Sequence, residues 1–270
     1  MKFNTGETSE ELRAKYNPDG SNLRRSQLRM LEMLKFMDDV CRKNNIEYFI
    51  FYGTLLGAVR HGGFIPWDDD LDVFMSLKDS ERFTSIVNSM TDCDFEVQNH
   101  RSDPGFVRMW NVLRDKKTEY IIDSPIHNSR RLRGLQIDIF TYEPKMIDLG
   151  RKLVRSFTCF NESHLVGKHP HLSDICYSFT GKCIIPFFRA LSSFKKEDDY
   201  IYMAFDSFYS EKFERKDIFP LSKIEFEGYS FPSPHDSETA MKKYYGENCY
   251  DLPDPSTRNH HNVDNIVFYD

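Results

Sequence analysis

The sequence predicts an α+β fold, a mixed sheet flanked by helices with a helical insertion and a C-terminal region. Three observations predict it. Apolar residues fill 40% of 270 positions, enough to bury a core. Short branched or aromatic runs of strand length are interspersed with stretches of helical periodicity in an order typical of mixed folds. The longest mostly apolar stretches, Tyr48–Val59 and Cys183–Phe188, fall far short of the roughly 20 residues a spanning helix needs. The length fits one large domain, or one domain with an appendage.

Each element follows from its pattern. Residues 1–20 read as a loosely held polar arm ending in the turn signal Asn17-Pro18-Asp19-Gly20. From Ser21 the residues Leu23, Leu28, Leu31, Leu34, Met37, Val40 and Cys41 recur at helical spacing, and Arg42 and Lys43 close the last turn. Glu47–Tyr52 is aromatic and branched, which predicts a buried strand. Gly53 ends it, and Thr54–Arg60 has helical propensity. A Gly/Pro-punctuated loop, His61–Trp67, leads to a second strand at Leu71–Leu77, and Asp79–Met90 reads as a helix. Further strands are predicted at Phe95–His100, Val107–Arg114, Thr118–Ile122 and Leu135–Tyr142. Residues 21–145 thus form the core. From 146 to 215 the chain turns basic and helical, and 216–270 forms a region packing on the core. That last part carries a strand around Ile224–Phe231 and a helix capped by Asp236 and ended by Gly246.

Composition removes several functional classes. A formal charge of −6 argues against a nucleic-acid partner. That total hides a split: residues 151–196 hold eight Lys/Arg against two acids, a local +6, so the remainder carries −12. Six scattered cysteines without a C-x-x-C pair read as free thiols in a reducing cytoplasm, and the polar N-terminus lacks the apolar core of a secretory signal. The expected location is therefore cytoplasmic, with peripheral contact at the inner face of the membrane as an extension of that reading. Neither His169/His171 nor His260/His261 has the spacing of a helical zinc site.

The sharpest feature is Trp67-Asp68-Asp69-Asp70-Leu71-Asp72-Val73. Strand alternation sets Asp70 and Asp72 on one face and Leu71, Val73 and Met75 toward the core. Neighbouring carboxylates repel, and a hard cation such as Mg²⁺ or Mn²⁺ relieves the repulsion. A bare D-x-D is more often a solvated acidic turn, but apolar residues between the acids argue otherwise here. Asp138, between Ile137 and Ile139, is a second isolated acid in an apolar strand; a core salt bridge with Arg131 or Arg133 is its plain alternative. Asp70, Asp72 and Asp138 are the candidate metal ligands and catalytic residues. Upstream, Gly53-Thr54 at the start of a helix offers free backbone N–H groups suited to a phosphate. A phosphate cradle beside a carboxylate metal site is the logic of phosphoryl or nucleotidyl transfer.

FYGTLLGAVRHGGFIPWDDDLDVFM (Phe51–Met75) resembles the signature of the LicD family of phosphocholine transferases, which is similar to the fukutin-related proteins. The resemblance extends over LQIDIF, over Phe226–Pro234, and from YYGENCYDLPDP to His260-His261. It implies a nucleotidyltransferase-like fold, a divalent metal, and a CDP-choline or related CDP-alcohol donor. The implied acceptor is a sugar hydroxyl on a cell-surface glycan precursor, such as a lipopolysaccharide or capsule precursor, free or lipid-linked. Position by position, Gly53-Thr54 matches the donor-phosphate turn, Asp70 and Asp72 the metal acids, and Asp138 the third carboxylate. Thirteen residues separate Thr54 from Asp68 and fifteen separate it from Asp70. The general nucleotidyltransferase spacing thus fits Asp68/Asp70, whereas hydrophobic interleaving favours Asp70/Asp72.

Arg60 is the candidate for the leaving-group charge, with Arg114, Lys116 and Lys117 weaker. Trp67 is the candidate to line a quaternary-ammonium pocket, with Trp110 and Tyr120 behind it. Transfer of another CDP-linked group such as ribitol phosphate, and a catalytically inactive glycan- or metal-binding module, are the alternatives. The basic stretch reads either as a solvated helical hairpin or as a patch that meets anionic lipid or a lipid-linked acceptor.

Overall fold

The computed structural model describes residues 3–207, 209–258 and 265–269. The chain runs α1 (Ser9–Tyr16), α2 (Asn22–Lys43), β1 (Tyr48–Ile50), α3 (Tyr52–His61), β2 (Asp72–Ser76) and α4 (Leu77–Asn88). Then come β3 (Phe95–Gln98), β4 (Asn111–Asp115), β5 (Thr118–Tyr120), the short α5 (Pro125–Asn128) and β6 (Gln136–Glu143). A helical segment holds α6 (Asp148–Phe160), α7 (Pro170–Phe179) and α8 (Ile185–Ser193), joined through π-helical turns at Asn161–Leu165 and Thr180–Ile184. The chain closes with β7 (Tyr200–Met203), β8 (Lys212–Glu214), α9 (Arg215–Ile218), β9 (Ser222–Phe226), β10 (Tyr229–Ser233), α10 (Ser237–Tyr245) and β11 (Ile266–Phe268).

A mixed seven-stranded sheet carries the fold, ordered β1-β2-β6-β4-β3, with β7 added to β6 and β8 to β7. Only β2 and β6 run parallel among its described pairs, and their register sets Asp72 opposite Asp138. Leu71, Val73, Phe74, Met75, Ile137 and Ile139 are completely buried, so both faces of this central pair are covered. Helices α2 and α4 pack against the sheet and each other, while α3 contacts β2, β9 and α10. Helix α2 keeps the predicted start, with Ser21 as cap, and Asp236 and Gly246 bound α10 as predicted. The predicted α+β class with a helix-flanked mixed sheet is therefore observed.

Several local readings need correction. The stretch read as a loose arm contains α1, closed by a capping box between Thr8 and Glu11, and its Leu12 is fully buried. Leu12, the Tyr16 ring against Trp67 and the contacts of Arg13 with His61 and Glu227 dock this short polar helix. Strand β4 starts only at Asn111, because Val107–Trp110 sits in irregular backbone. The single strand expected around Ile224–Phe231 is a hairpin: Glu227 and Gly228 both have positive φ, the tight-turn conformation that matches strand twist. The helical stretch ends at Ser193, and residues 200–214 return to sheet as β7 and β8, where Ile201, Met203 and Phe213 are buried. Leu28 is not part of the buried stripe of α2; it is 46% exposed. None of the described helices is long and apolar enough to cross a membrane. All six cysteines are free thiols.

Candidate active site

The site forms where β1 gives way to α3. Phe51 is extended and its N–H bonds the Asp72 carbonyl at 3.2 Å, which ties the end of β1 to the start of β2. Tyr52 then adopts a φ of +47°, a conformation non-glycine residues rarely take, to swing the chain into the helix. Gly53 and Thr54 are the second and third residues of α3, so their N–H groups lie at its positive end. The Gly53 N–H bonds the Asp72 carboxylate. The Thr54 hydroxyl is buried and accepts a 2.8 Å bond from the Asp72 N–H, so this side chain anchors β2. A Cβ on Gly53 would stand 3.0 Å from Asp68 Oδ2 and 3.9 Å from Asp70 Oδ1. Absence of a side chain there lets the acids approach the helix end.

A cleft of about 490 Å³ opens at this point. Asp68, Asp70 and Asp72 line it together with Gly53, Arg60 and Trp67. Asp70 lies just before β2 and Asp72 is its first residue, yet both face the same cleft, as strand alternation predicts. Burial and the neighbouring charges of Asp70 and Asp69 push the Asp68 carboxyl well above its usual range, and a carboxyl–carboxyl hydrogen bond links Asp68 to Asp70. Asp72 is pushed up in the same way by burial, then by Asp70, Asp138 and Asp68. Asp138 stands beside Asp72 across the parallel pair, but its two oxygens accept bonds from Trp110 Nε1 at 3.0 Å and Gln136 Nε2 at 2.9 Å. Neither Arg131 nor Arg133 reaches it; these arginines pair with Glu96 and Glu119. Among the described residues, no three acidic, imidazole or thiol side chains are drawn into a finished metal cage.

Arg60 is buried on α3. Its guanidinium bonds His61 Nε2 at 3.0 Å and the Asp251 carbonyl at 3.2 Å, and burial lowers its pKa to about 10. It therefore stays charged at neutral pH. Among the described residues no carboxylate forms a salt bridge with it. Arg114, by contrast, bonds Gln98 and the Gly134 carbonyl, which makes it a structural cation. Trp67 borders the cleft, but Arg258 already stands over its ring at 5.1 Å and Tyr16 packs edge-on against it. Arg108 likewise stands 4.9 Å over Trp110. His260 and His261 lie outside the described residues.

Sequence reasoning missed the tyrosines of this wall. Tyr52, Tyr209, Tyr244 and Tyr245 line the same cleft as the acids. Tyr52 stands 5.1 Å from Tyr209 and 4.9 Å from Tyr244, and Tyr244 stands 4.6 Å from Tyr245, centroid to centroid. Glu211 adjoins this wall: its charge helps raise the Tyr52 and Tyr244 hydroxyls, and its Oε2 is buried without a hydrogen-bond partner. The Tyr244-Tyr245 pair lies within the C-terminal stretch of the family resemblance, which could have flagged it; nothing in the sequence marks Tyr209 or Glu211.

Fold and site together define an α+β protein with a buried carboxylate cluster under a helix N-terminus, arranged to receive a charged ligand. Residues 45–166 match the LicD/FKTN/FKRP nucleotidyltransferase domain, in line with the resemblance carried by Phe51–Met75. The chain is 26% identical over 260 residues to the lipopolysaccharide cholinephosphotransferase LicD of Haemophilus influenzae, covering 88% of this chain and 96% of that protein. An uncharacterized protein of Rickettsia prowazekii is 27% identical over 164 residues, 59% of this chain and 58% of that protein. The human ribitol 5-phosphate transferase FKRP is 40% identical over 48 residues, 18% of this chain and 10% of that protein.

Proposed function

We propose that this protein transfers phosphocholine from a CDP-linked donor to a sugar hydroxyl of a cell-surface glycan precursor. The observation that carries the reading is the cleft itself, lined by the carboxylates of Asp68, Asp70 and Asp72 together with Tyr52, Tyr209, Tyr244 and Tyr245. The likeness to the Haemophilus influenzae cholinephosphotransferase along almost its whole length supports it.

In this reading the sugar oxygen forms a bond to the phosphorus that bears choline, the P–O–P anhydride bond breaks, and CMP leaves. Gly53 and the first turn of α3 orient the donor phosphates. Arg60 meets the charge that develops on CMP. Asp138, beside Asp72, takes the proton from the sugar hydroxyl. The donor set fits a divalent cation of the Mg²⁺ or Mn²⁺ kind, because it is all oxygen and its buried carboxyls repel one another. Asp70 and Asp72 would hold the cation, with Asp68 alongside and Asp138 as the third ligand in place of its role as base. When bound, it would neutralise phosphate oxygens of the donor.

Ribitol phosphate is the second reading, supported by the similarity to FKRP. The tyrosine wall and the unpartnered Glu211 oxygen favour choline over ribitol. A quaternary ammonium gains from ring faces and from a carboxylate, whereas a neutral polyol asks for hydrogen-bond partners instead. Incubation with Mg²⁺ and a panel of CDP-alcohols tests the reading. CDP-choline should release CMP and raise the melting temperature. If no CDP-alcohol does either, the transferase reading fails; if CDP-ribitol alone does, the choline assignment fails.

A further inference from the structure

The helical segment leaves a large share of its apolar surface uncovered. Its own core is small, built on Met146, Val154, Ile184, Ile185, Phe188 and Phe205. Each of its three helices also presents a second apolar stripe, on the side away from that core. On α6 the stripe is Leu149, Leu153 and Phe160; on α7 it is Leu172, Ile175 and Phe179; on α8 it is Phe187 and Leu191, continued by Phe194 just past its end. The spacings are those of one helix face in every case. Phe194 is 86% exposed, Ile175 63% and Phe187 62%. Of the 17 large apolar side chains that are exposed among the described residues, these nine come from one sixth of the chain. Scattered surface apolars need no explanation, but three striped helices packed against one another do.

Cations predominate among the charges beside the stripes. Lys152, Arg155, Lys168, Lys182, Lys195 and Lys196 are exposed. Of the segment's acids, Glu162 is held by Arg108 and Arg130 outside it, Asp148 pairs with Arg151 at the start of α6, and Asp174 lies beside His100. The rest of the chain carries −12, so the cationic character is local.

We propose that α6, α7 and α8 form a docking face for an anionic phospholipid surface, on which the protein lies without crossing it. Apolar side chains on short amphipathic helices enter the boundary between headgroups and acyl chains, and the flanking cations hold anionic headgroups. None of the described helices can span a bilayer, which fits a protein that lies on its surface. A second copy of this chain would bring two cationic faces together, so charge disfavours it as the occupant. The proposal is independent of the reaction assigned to the cleft, since no residue of the stripes lines that cleft.

Cosedimentation of the full chain with vesicles tests it. Mixed phosphatidylglycerol and phosphatidylcholine vesicles should bind the protein, pure phosphatidylcholine vesicles much less, and high salt should weaken the binding. The Phe187→Ser/Phe194→Ser double variant should bind about tenfold more weakly while keeping its melting temperature, because both side chains face solvent. Phe194→Trp gives a second readout. Its fluorescence should shift to the blue with anionic vesicles, against a constant background from Trp67 and Trp110, which are buried. No binding to either vesicle, equal binding to both, or a dimer that buries the face and is dispersed by the double variant would each overturn the proposal.

Discussion

Thr54→Val separates the structural part of the site from its chemistry. The Thr54 hydroxyl is buried at 2% exposure and accepts the Asp72 N–H at 2.8 Å, which fixes the first residue of β2 to the first turn of α3. Valine keeps the shape and removes the acceptor. A buried N–H left without a partner costs about 1–3 kcal/mol. For a chain of this size that corresponds to a fall in melting temperature of roughly 3–10 °C. Because the lost bond holds Asp72 itself, CMP release from CDP-choline should fall with it, and added donor should not restore the rate. Thr54→Ser keeps the hydroxyl and gives up one buried methyl, for about 1 kcal/mol. It should retain turnover. Differential scanning calorimetry and a CMP-release assay on the three proteins decide the matter. If the valine variant melts and turns over like the parent, the Thr54–Asp72 bond has no structural weight and the reasoning is refuted.

Four further outcomes are expected. Asp72→Asn should abolish turnover yet raise the melting temperature in the absence of divalent ions: a carboxyl held above its unfolded pKa destabilises the fold as pH rises, so the gain should grow with pH and vanish below the ordinary aspartate pKa of about 4 in thermal melts across a pH series. Gly53→Ala adds a Cβ 3.0 Å from Asp68 Oδ2; its helix preference of up to about 1 kcal/mol offsets the crowding, so melting should change little. CMP release by the same variant should drop roughly ten- to a hundredfold. Trp110→Phe removes one of the two donors to Asp138 and should lower the turnover number more than it changes the Michaelis constant, since Asp138 serves as base in the proposed reaction. Glu211→Gln should raise the Michaelis constant for CDP-choline several-fold and leave any turnover of CDP-ribitol unchanged, a difference that paired steady-state assays would reveal.

Much of this arrangement was legible before the structure because it is local. The 53-54 turn, the interleaved acids at 68–72 and the capped helices are each decided within a few residues by chain sterics and hydrophobic patterning. Asp138 was legible as an anomaly but not in its partnership: the Trp110 bond depends on the β4–β6 pairing, and Trp110 lies just outside the strand where the pattern placed it, while Gln136 reaches Asp138 along β6 itself. Strands β7 and β8 were hidden because they follow a basic helical stretch, and the alternation at Tyr200–Met203 is only four residues long. Tyr209 and Glu211 sit beside them and were hidden for the same reason. The N-terminal helix was missed because its anchors, Leu12 in the core, Tyr16 against Trp67 and Arg13 against His61 and Glu227, are contacts with residues distant in sequence.

The charges of the cleft are arranged so that they do not cancel. Arg60 lies on the same short helix whose N-terminus meets the acids, and the negative charge of Asp68 acts on it. Even so, its guanidinium bonds a ring nitrogen and backbone carbonyls, and among the described residues no carboxylate pairs with it. A fold selected for stability alone would close such a pair, since a lone buried cation and a repelling acidic cluster each cost free energy. Keeping them apart leaves an anion-seeking group, a cation-seeking cluster and, at Tyr209 and Tyr244, a second cation-seeking corner, with Glu211 in the adjoining pocket that Tyr244 also lines. A ligand that satisfies all three carries phosphate charge in its middle and a fixed positive charge at one end, and brings a divalent cation with it. A nucleoside diphosphate linked to a quaternary amine has that distribution. A neutral polyol in its place leaves the tyrosine corner without its counterpart, so exchange of Glu211 and Tyr209 for hydrogen-bonding residues should shift preference toward CDP-ribitol. If the preference among CDP-alcohols stays fixed when that corner is remade, the discrimination lies elsewhere in the cleft.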